Sequence, residues 1–519
     1  MSAFNLFNEN SRIHYSRFVE ACQRESWHSA MVHIDACLLQ CAGIEERCQA
    51  LLLKGTIAQT IGRYSEAKAC FEEVAQAFPG PRPYAALSGA LIACREFERA
   101  AVAARAGLAL STEQDSPVVL ELTKILGDAL LFDHNYEEAA IAYRQVISLM
   151  PQHGIANHQL GYILEFQDDL DAAIEHYEQA VKFNPELVGS RSNLAFVLLA
   201  AGRFKEAWPH FEHRWAGMLL PGRQMASPPA LPIRRWKGSF SDCNDQHLLV
   251  LAEQGFGDTL QFCRYLPMVL EQFAEVGFVC PKPLQKLIVH SLGTRHSNLV
   301  LLDDVPQDFW NWDQYIPLMS MPVVFETDLQ TIPATMSYLS AEPYAAQSFA
   351  SRLNKLESSS LPRIGIAWAG GHAGLGVDQW RSISPKHLGP LINWPHACWV
   401  SLQKPETEEK RLGPDQRAKV IDWMDEMNAF ADTAALISGL DLVISVDTSV
   451  AHLAAAMGKP VWLLNRFGGC WRWLRNRDDS PWYPTMRIFT QKERGNWNEV
   501  FGRVLKELHC HDFRKGSDY

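Results

Sequence analysis

Residues 251–262 read LAEQGFGDTLQF, an apolar run followed by two glycines, a carboxylate and a hydroxyl. Gly255 and Gly257 allow a backbone to approach a bound molecule closely. Asp258 stands where a helical pattern begins. A carboxylate placed there can take a proton from an acceptor hydroxyl. It also reads as a plain helix N-cap. Glu253, at the end of the apolar run, is a second candidate base, or a hydrogen-bonded residue that shapes the loop. Thr259 and Gln261 follow as candidate substrate contacts. A dinucleotide fingerprint is excluded because Leu260 occupies the place of its third glycine. A P-loop is excluded because no Gly-Lys-Ser/Thr follows.

Three more stretches carry chemistry. In DLVISVDTSVAHLAAAMGKPVWLL, 441–464, an apolar strand leads to Asp447, Thr448 and Ser449, which open a helix with His452 in its first turn. Hydroxyls and bare amides at a helix start suit a diphosphate. Capping by Asp447 or Thr448 is the bland alternative. RIGIAWAGG, 363–371, ends in Trp368 and Gly370, and Arg381 follows in a polar loop. An arginine there clamps phosphate oxygens or forms a surface ion pair. Gln403 ends the strand WVSLQ, within reach of a base or ribose. In FGGCWRWLRNRDDSPWYP, 467–484, Trp471, Trp473 and Trp482 lie among Arg472, Arg475 and Arg477. Trp471 is the candidate for stacking on a sugar or base, although rings of this kind more often pack a core.

These stretches sit on strand ends. HLLVLAE, VGFVCP and NLVLLDD form one set, with a helix expected from the first of them to about residue 274. PRIGIAWAG, CWVSLQK, DLVISV and KPVWLLN form a second. Strands alternating with helices predict two doubly wound parallel sheets, with sites at the carboxyl ends of the strands. Residues 340–362, a helix and a serine-rich break, separate the sets.

In front lies a repeat. Gly127, Gly161 and Ala195 share one position, Ala139, Ala173 and Ala207 another, and Tyr143, Tyr177 and Phe211 a third, each in steps of 34 residues. An earlier unit carries Gly55, Ala67, Phe71 and Pro79, and weaker ones carry Ala100 with Ala104 and Trp27 with Ala30. The period is that of tetratricopeptide repeats, about six of them. Such an array presents a concave surface to a peptide or protein segment. The expected divisions are repeats over 1–217, a proline-rich linker over 218–240, one α/β lobe over 241–345 and a second over 346–519.

The net charge of −11 argues against a general nucleic-acid binder. Twelve cysteines with no CxxC pair read as free thiols of a reducing compartment. No apolar run is long enough to span a bilayer, and the N-terminus lacks the pattern of a signal peptide. A cytoplasmic location is expected, with membrane contact at most peripheral.

The segments AEQGFGDTLQF, RIGIAWAG, WVSLQK, SVDTSVAHLAAAMGKPVWLL and WRWLRNRDDSPWYP, over residues 236–508, resemble the C-terminal region of bacterial tetratricopeptide-repeat proteins. That region is similar to the ADP-heptose lipopolysaccharide heptosyltransferases, which are GT-B glycosyltransferases. The resemblance implies an N-terminal α-solenoid followed by a two-lobed GT-B fold. It assigns Gly257 and Asp258 to a Gly-Asp whose acid is the proposed base. Asp447, Thr448 and His452 match a diphosphate-holding Asp-Thr-Gly-x-x-His pattern, with Ser449 in place of its glycine. Arg381 is the candidate phosphate contact of the second lobe. The implied activity is an inverting sugar transfer from a nucleotide-diphosphate donor to an acceptor hydroxyl, the nucleotide sugar being co-substrate rather than cofactor. No metal is expected, because Asp303–Asp304 and Asp478–Asp479 read as loop acids. The repeats would recruit a protein acceptor, such as a flagellin or another surface protein. A saccharide or lipid-linked acceptor is one alternative. A scaffold with a nucleotide-binding or inactive transferase fold is another.

Overall fold

The computed structural model describes residues 7–513 apart from 113–116, 218, 221–222, 225–229, 240, 242, 334–335, 359, 372–379 and 405–406. The chain forms two compact units, Met1–Ser190 and Arg191–Tyr519.

The first unit is a helical repeat array. Its helices associate as successive pairs: α1 (Glu9–Gln23) with α2 (Trp27–Gln40), α3 (Ile44–Thr60) with α4 (Tyr64–Ala77), α5 (Pro81–Ala93) with α6 (Phe97–Ala109), α7 (Pro117–Phe132) with α8 (Tyr136–Leu149), and α9 (Gly154–Phe166) with α10 (Leu170–Phe183). The repeated residues explain the pairing. A Cβ on Gly55 would stand 2.5 Å from the Phe71 ring, and one on Gly127 or Gly161 would stand 2.9 Å from Tyr143 or Tyr177. Only hydrogen fits, so the ring of the second helix rests on the backbone of the first. The tyrosine hydroxyls reach Asp128 at 2.7 Å and Glu165 at 2.8 Å, which satisfies the polar end of a buried ring. The turns within pairs use left-handed residues at Glu25, Gly62, Arg95, His134 and Asp168. Four of these are not glycine, so helix packing on both sides holds a conformation that costs about 1–2 kcal/mol.

The 34-residue period continues into α11 (Val188–Ala200) and α12 (Phe204–Phe211). Residues from Arg191 onward belong to the second unit. There α12 is part of the core: Trp208 Nε1 donates to Thr327 O at 2.6 Å. Phe204 stacks on Trp482 with centroids 5.8 Å apart, and Trp208 and Phe211 meet Trp471 edge-on.

After the small pairing of β1 (Leu219–Leu220) with β2 (Arg223–Gln224), the second unit holds two parallel sheets. The first contains β3 (Arg234–Arg235), β4 (His247–Leu251), β5 (Glu275–Val279), β6 (Leu299–Leu302) and β7 (Gln314–Pro317), in the order β3-β7-β4-β5-β6. Its edge strand β3 comes from the stretch read as linker, and β7 was not among the expected strands. The second contains β8 (Arg363–Ala367), β9 (Cys398–Ser401), β10 (Val420–Ile421), β11 (Leu442–Val446), β12 (Val461–Asn465) and β13 (Met486–Thr490), in the order β10-β9-β8-β11-β12-β13. Every neighbouring pair is parallel. The central strands are buried along nearly their whole length, as sheets covered on both faces require. The helix expected to reach about 274 is shorter. It runs as α13 (Phe256–Phe262), then a 3-10 turn Cys263–Tyr265 and a short helix Leu266–Leu270. Pro267 explains the break, since its ring clashes with the carbonyl four residues earlier in a continuous helix.

Candidate functional site

The chemistry-bearing turns leave both sheets where strand order reverses. In the six-stranded sheet this point lies between β8 and β11, whose ends carry Trp368–Gly370 and Asp447–Ser449. In the five-stranded sheet it lies between β4 and β7, and β4 runs into Glu253–Gly255. Crevices at such switch points are where open α/β sheets bind ligands.

Around Asp258 the backbone is shaped by Gln254, left-handed at φ 61°, and by Gly255, extended at the start of α13. Asp258 Oδ2 accepts from Gly255 N at 2.9 Å, which caps the helix. Its Oδ1 accepts from Arg472 Nη2 of the second lobe. Both oxygens are therefore engaged, on a side chain still 17 % exposed. Gly257 faces the second lobe as well: a Cβ there would stand 2.9 Å from His452 Cδ2.

His452 lies on the helix Ser449–Ala456 and is buried. Its Nδ1 is 2.8 Å from the Tyr483 hydroxyl, and its ring stacks on Trp473 at 5.1 Å. Nε2 is 3.9 Å from Asp447 Oδ1, beyond hydrogen-bond range. Burial, reinforced by the charges of Arg472, Arg264 and Arg381, pushes the imidazole well below its ordinary pKa, so it is neutral at pH 7. The sign of the pH effect follows from proton binding. Below about pH 6.5 the unfolded chain takes up a proton that folded His452 refuses, so stability is full above that pH and falls below it. The slope is about 1.4 kcal/mol per pH unit. Melting curves from pH 8 to 5 should fall less steeply for His452→Gln than for the native chain. Equal slopes would place His452 in a protonatable setting.

Thr448 caps the same helix by accepting from Val450 N at 3.2 Å. Asp447 and Ser449 flank it, both half-buried. Arg381 Nη1 donates to Asp447 O at 3.1 Å. Its guanidinium lies close against Gly370, where a Cβ would stand 2.4 Å from Nε. Lys410 Nζ donates to Gly370 O at 2.6 Å. The structure thus brings together Gly255, Gly257, Asp258, His452, Asp447, Thr448, Ser449, Gly370 and Arg381.

The other candidates have different surroundings. Glu253 is buried and pairs with Arg214 through Oε1 at 2.6 Å and Oε2 at 3.0 Å, while Met319 N donates to Oε1 at 3.0 Å. Burial pushes its pKa up against the pull of Arg214. Gln403 Oε1 accepts from the backbone N of Trp368 and Ala369 at 3.1 and 2.8 Å, so it ties the end of β8 instead of facing outward. Trp368 is buried and donates to Lys410 O. Trp471 is a core ring against Trp208, Phe211, Phe262 and Trp482. Thr259 and Gln261 are buried, and both polar atoms of the Gln261 amide lack a partner among the described residues.

Two cations that the sequence did not single out as site residues stand beside these. Arg472 crosses to Asp258, as above. Arg264 is buried, and no carboxylate among the described residues pairs with it. It donates to Trp482 O at 2.7 Å, the Tyr338 hydroxyl at 3.0 Å and Gln261 O at 2.8 Å. It also lies over the rings of Tyr338 and Tyr483. Arg472 had a sequence signal in the tryptophan–arginine block, whereas Arg264 had none. Three guanidiniums thus act on His452, with the carboxylates of Asp258 and Asp447 nearby. This is a setting for an anion next to a carboxylate. Among the described residues, no three His, Cys, Asp or Glu side chains converge as metal ligands would.

The family model for glycosyltransferase family 9 (heptosyltransferase) matches residues 398–464, and that for the tetratricopeptide repeat matches 49–80 and 155–187. The first match spans β9 to β12 and includes Asp447–His452, while Asp258 lies outside it. Protein FlbA of Caulobacter vibrioides is 26% identical over 416 residues, 76% of this chain and 67% of that protein. MamA from Desulfovibrio magneticus RS-1 is 22% identical, covers 33% of this chain and 93% of its own, and has a TM-score of 0.30. YrrB, a TPR protein with an unusual peptide-binding site, is 17% identical, covers 33% and 86%, and has a TM-score of 0.29. Among the described residues no helix is long and apolar enough to cross a membrane.

Proposed function

We propose that this chain, which carries tetratricopeptide repeats and a glycosyltransferase family 9 segment, moves a sugar from a nucleotide-diphosphate donor to an acceptor hydroxyl. The observation that supports this reading is the pairing of Asp258 with Arg472 and the approach of Gly257 to His452 on the helix Ser449–Ala456, at the switch points of two doubly wound sheets. In this reading the acceptor oxygen gives its proton to Asp258 and bonds to the anomeric carbon. The bond from that carbon to the diphosphate breaks, with inversion, and the electron pair leaves with the phosphate oxygen. Arg381 and the helix amides stabilise that charge, so a divalent ion is not needed for neutralisation. The repeats present a protein acceptor, in keeping with the extended concave surfaces that such arrays form.

One observation favours a second reading, a non-catalytic scaffold: both oxygens of Asp258 already serve the fold. A thermal-shift screen of the full chain against nucleoside diphosphates and nucleotide sugars separates the two. A ligand that binds only the folded state raises the melting temperature. The transferase reading expects a clear rise with one nucleotide, unchanged by EDTA. No rise with any nucleotide in folded protein would favour the scaffold.

A further inference from the structure

Arg472 has a role that neither packing nor the family resemblance assigns. It is 8 % exposed and sits between acids of both lobes. Nη2 binds Asp258 and Nη1 lies 3.1 Å from Cys470 Sγ, a weak acceptor. Nε, also buried, has no partner among the described residues. A buried guanidinium with an unmet donor is costly to leave so, and Asp447 at the start of the helix Ser449–Ala456 lies within its electrostatic reach. The neighbourhood carries three guanidiniums, Arg264, Arg381 and Arg472, against the carboxylates of Asp258 and Asp447. Among the described residues no carboxylate pairs with Arg264, which donates to neutral oxygens instead. Arg472 is the member whose present partner is the very acid that the reaction would need free.

We infer that Arg472 is a switch between Asp258 and the donor diphosphate. Without donor it holds Asp258. When a diphosphate binds beside Asp447–Ser449, the guanidinium turns to phosphate oxygens, which satisfies its unmet donor, and Asp258 is released to accept the proton of the acceptor hydroxyl. Donor therefore binds before a productive acceptor. This rests on reading the site as a nucleotide-sugar site. The Asp258 pair competes with the anion, so it lowers apparent affinity by the fraction of molecules in which Arg472 is occupied.

Calorimetric titration of the full-length chain with inorganic pyrophosphate and with ADP, UDP and GDP tests the switch. Asp258→Asn removes the competing charge and should tighten binding of at least one of these probes about tenfold. Arg472→Gln should weaken it by a similar factor. Combining the two should bind no better than Arg472→Gln alone, because the gain acts through Arg472. Circular dichroism checks folding, and if Arg472→Gln does not fold, the Asp258→Asn comparison decides alone. Binding to native protein that Asp258→Asn leaves unchanged or weakens would overturn the switch while sparing the donor site. No binding to either protein would overturn both.

Discussion

Asp258→Asn should slow sugar transfer by about a hundred- to ten-thousandfold, the usual contribution of a general base. The substitution is conservative for the fold. An asparagine oxygen still accepts from Gly255 N, so the start of α13 keeps its cap. What disappears is the proton acceptor and the charge that holds Arg472. Steady-state kinetics should therefore show a fall in kcat together with a fall in the KM for donor, since the guanidinium is freed for phosphate. A capping residue without chemical role would give a different pattern, with kcat and the KM for donor nearly unchanged because the cap is kept. Rates at several donor concentrations, beside a melting curve of the same preparation, distinguish these outcomes.

Arg214→Ala should be the most damaging single change to stability in the second unit. Arg214 follows α12 and its side chain is fully buried. It binds Glu253 through two hydrogen bonds, reaches Ser320 at 3.0 Å and lies over the rings of Phe211 and Trp215. Removing it leaves the Glu253 carboxylate buried with the Met319 amide as its one remaining partner among the described residues. Breaking one side of such a pair costs about 3–5 kcal/mol. Chemical denaturation followed by tryptophan fluorescence should show this, with much of the loss recovered in Arg214→Met combined with Glu253→Gln. The pH dependence has a definite sign. Burial already raises the Glu253 pKa, and without Arg214 it rises further. The folded variant then gains a proton at a pH where the unfolded chain has none, so the deficit should be smaller at pH 5 than at pH 8. A deficit independent of pH, or below about 1 kcal/mol, would mean that the pair contributes little.

The repeat architecture was legible because a helix pair needs a small residue opposite a ring. Gly55 with Phe71 and Gly161 with Tyr177 keep that need at a fixed spacing. The turns at Arg95, His134 and Asp168 were not legible, because tertiary packing forces a left-handed conformation onto residues that do not prefer it. The strands that position the site were apolar enough to read, whereas β3 and β10 have two residues each and exist through pairing with their neighbours. The turns of Asp258 and Asp447 could be placed at strand ends. What surrounds them could not, since Arg472 lies 214 positions from Asp258 and Arg214 lies 39 from Glu253. Gln403 illustrates the limit. Its position at a strand end suggests outward reach, yet its amide oxygen ties the backbone at the end of β8.

The most direct measurement is release of nucleoside diphosphate from a panel of nucleotide sugars by the full-length protein, with cell extract as acceptor source, comparing the native chain with Asp258→Asn. The account predicts that one donor is consumed by the native chain and is turned over about a hundred- to ten-thousandfold more slowly by the variant. Release at the same rate by both, or none from any donor by folded native protein, would contradict it.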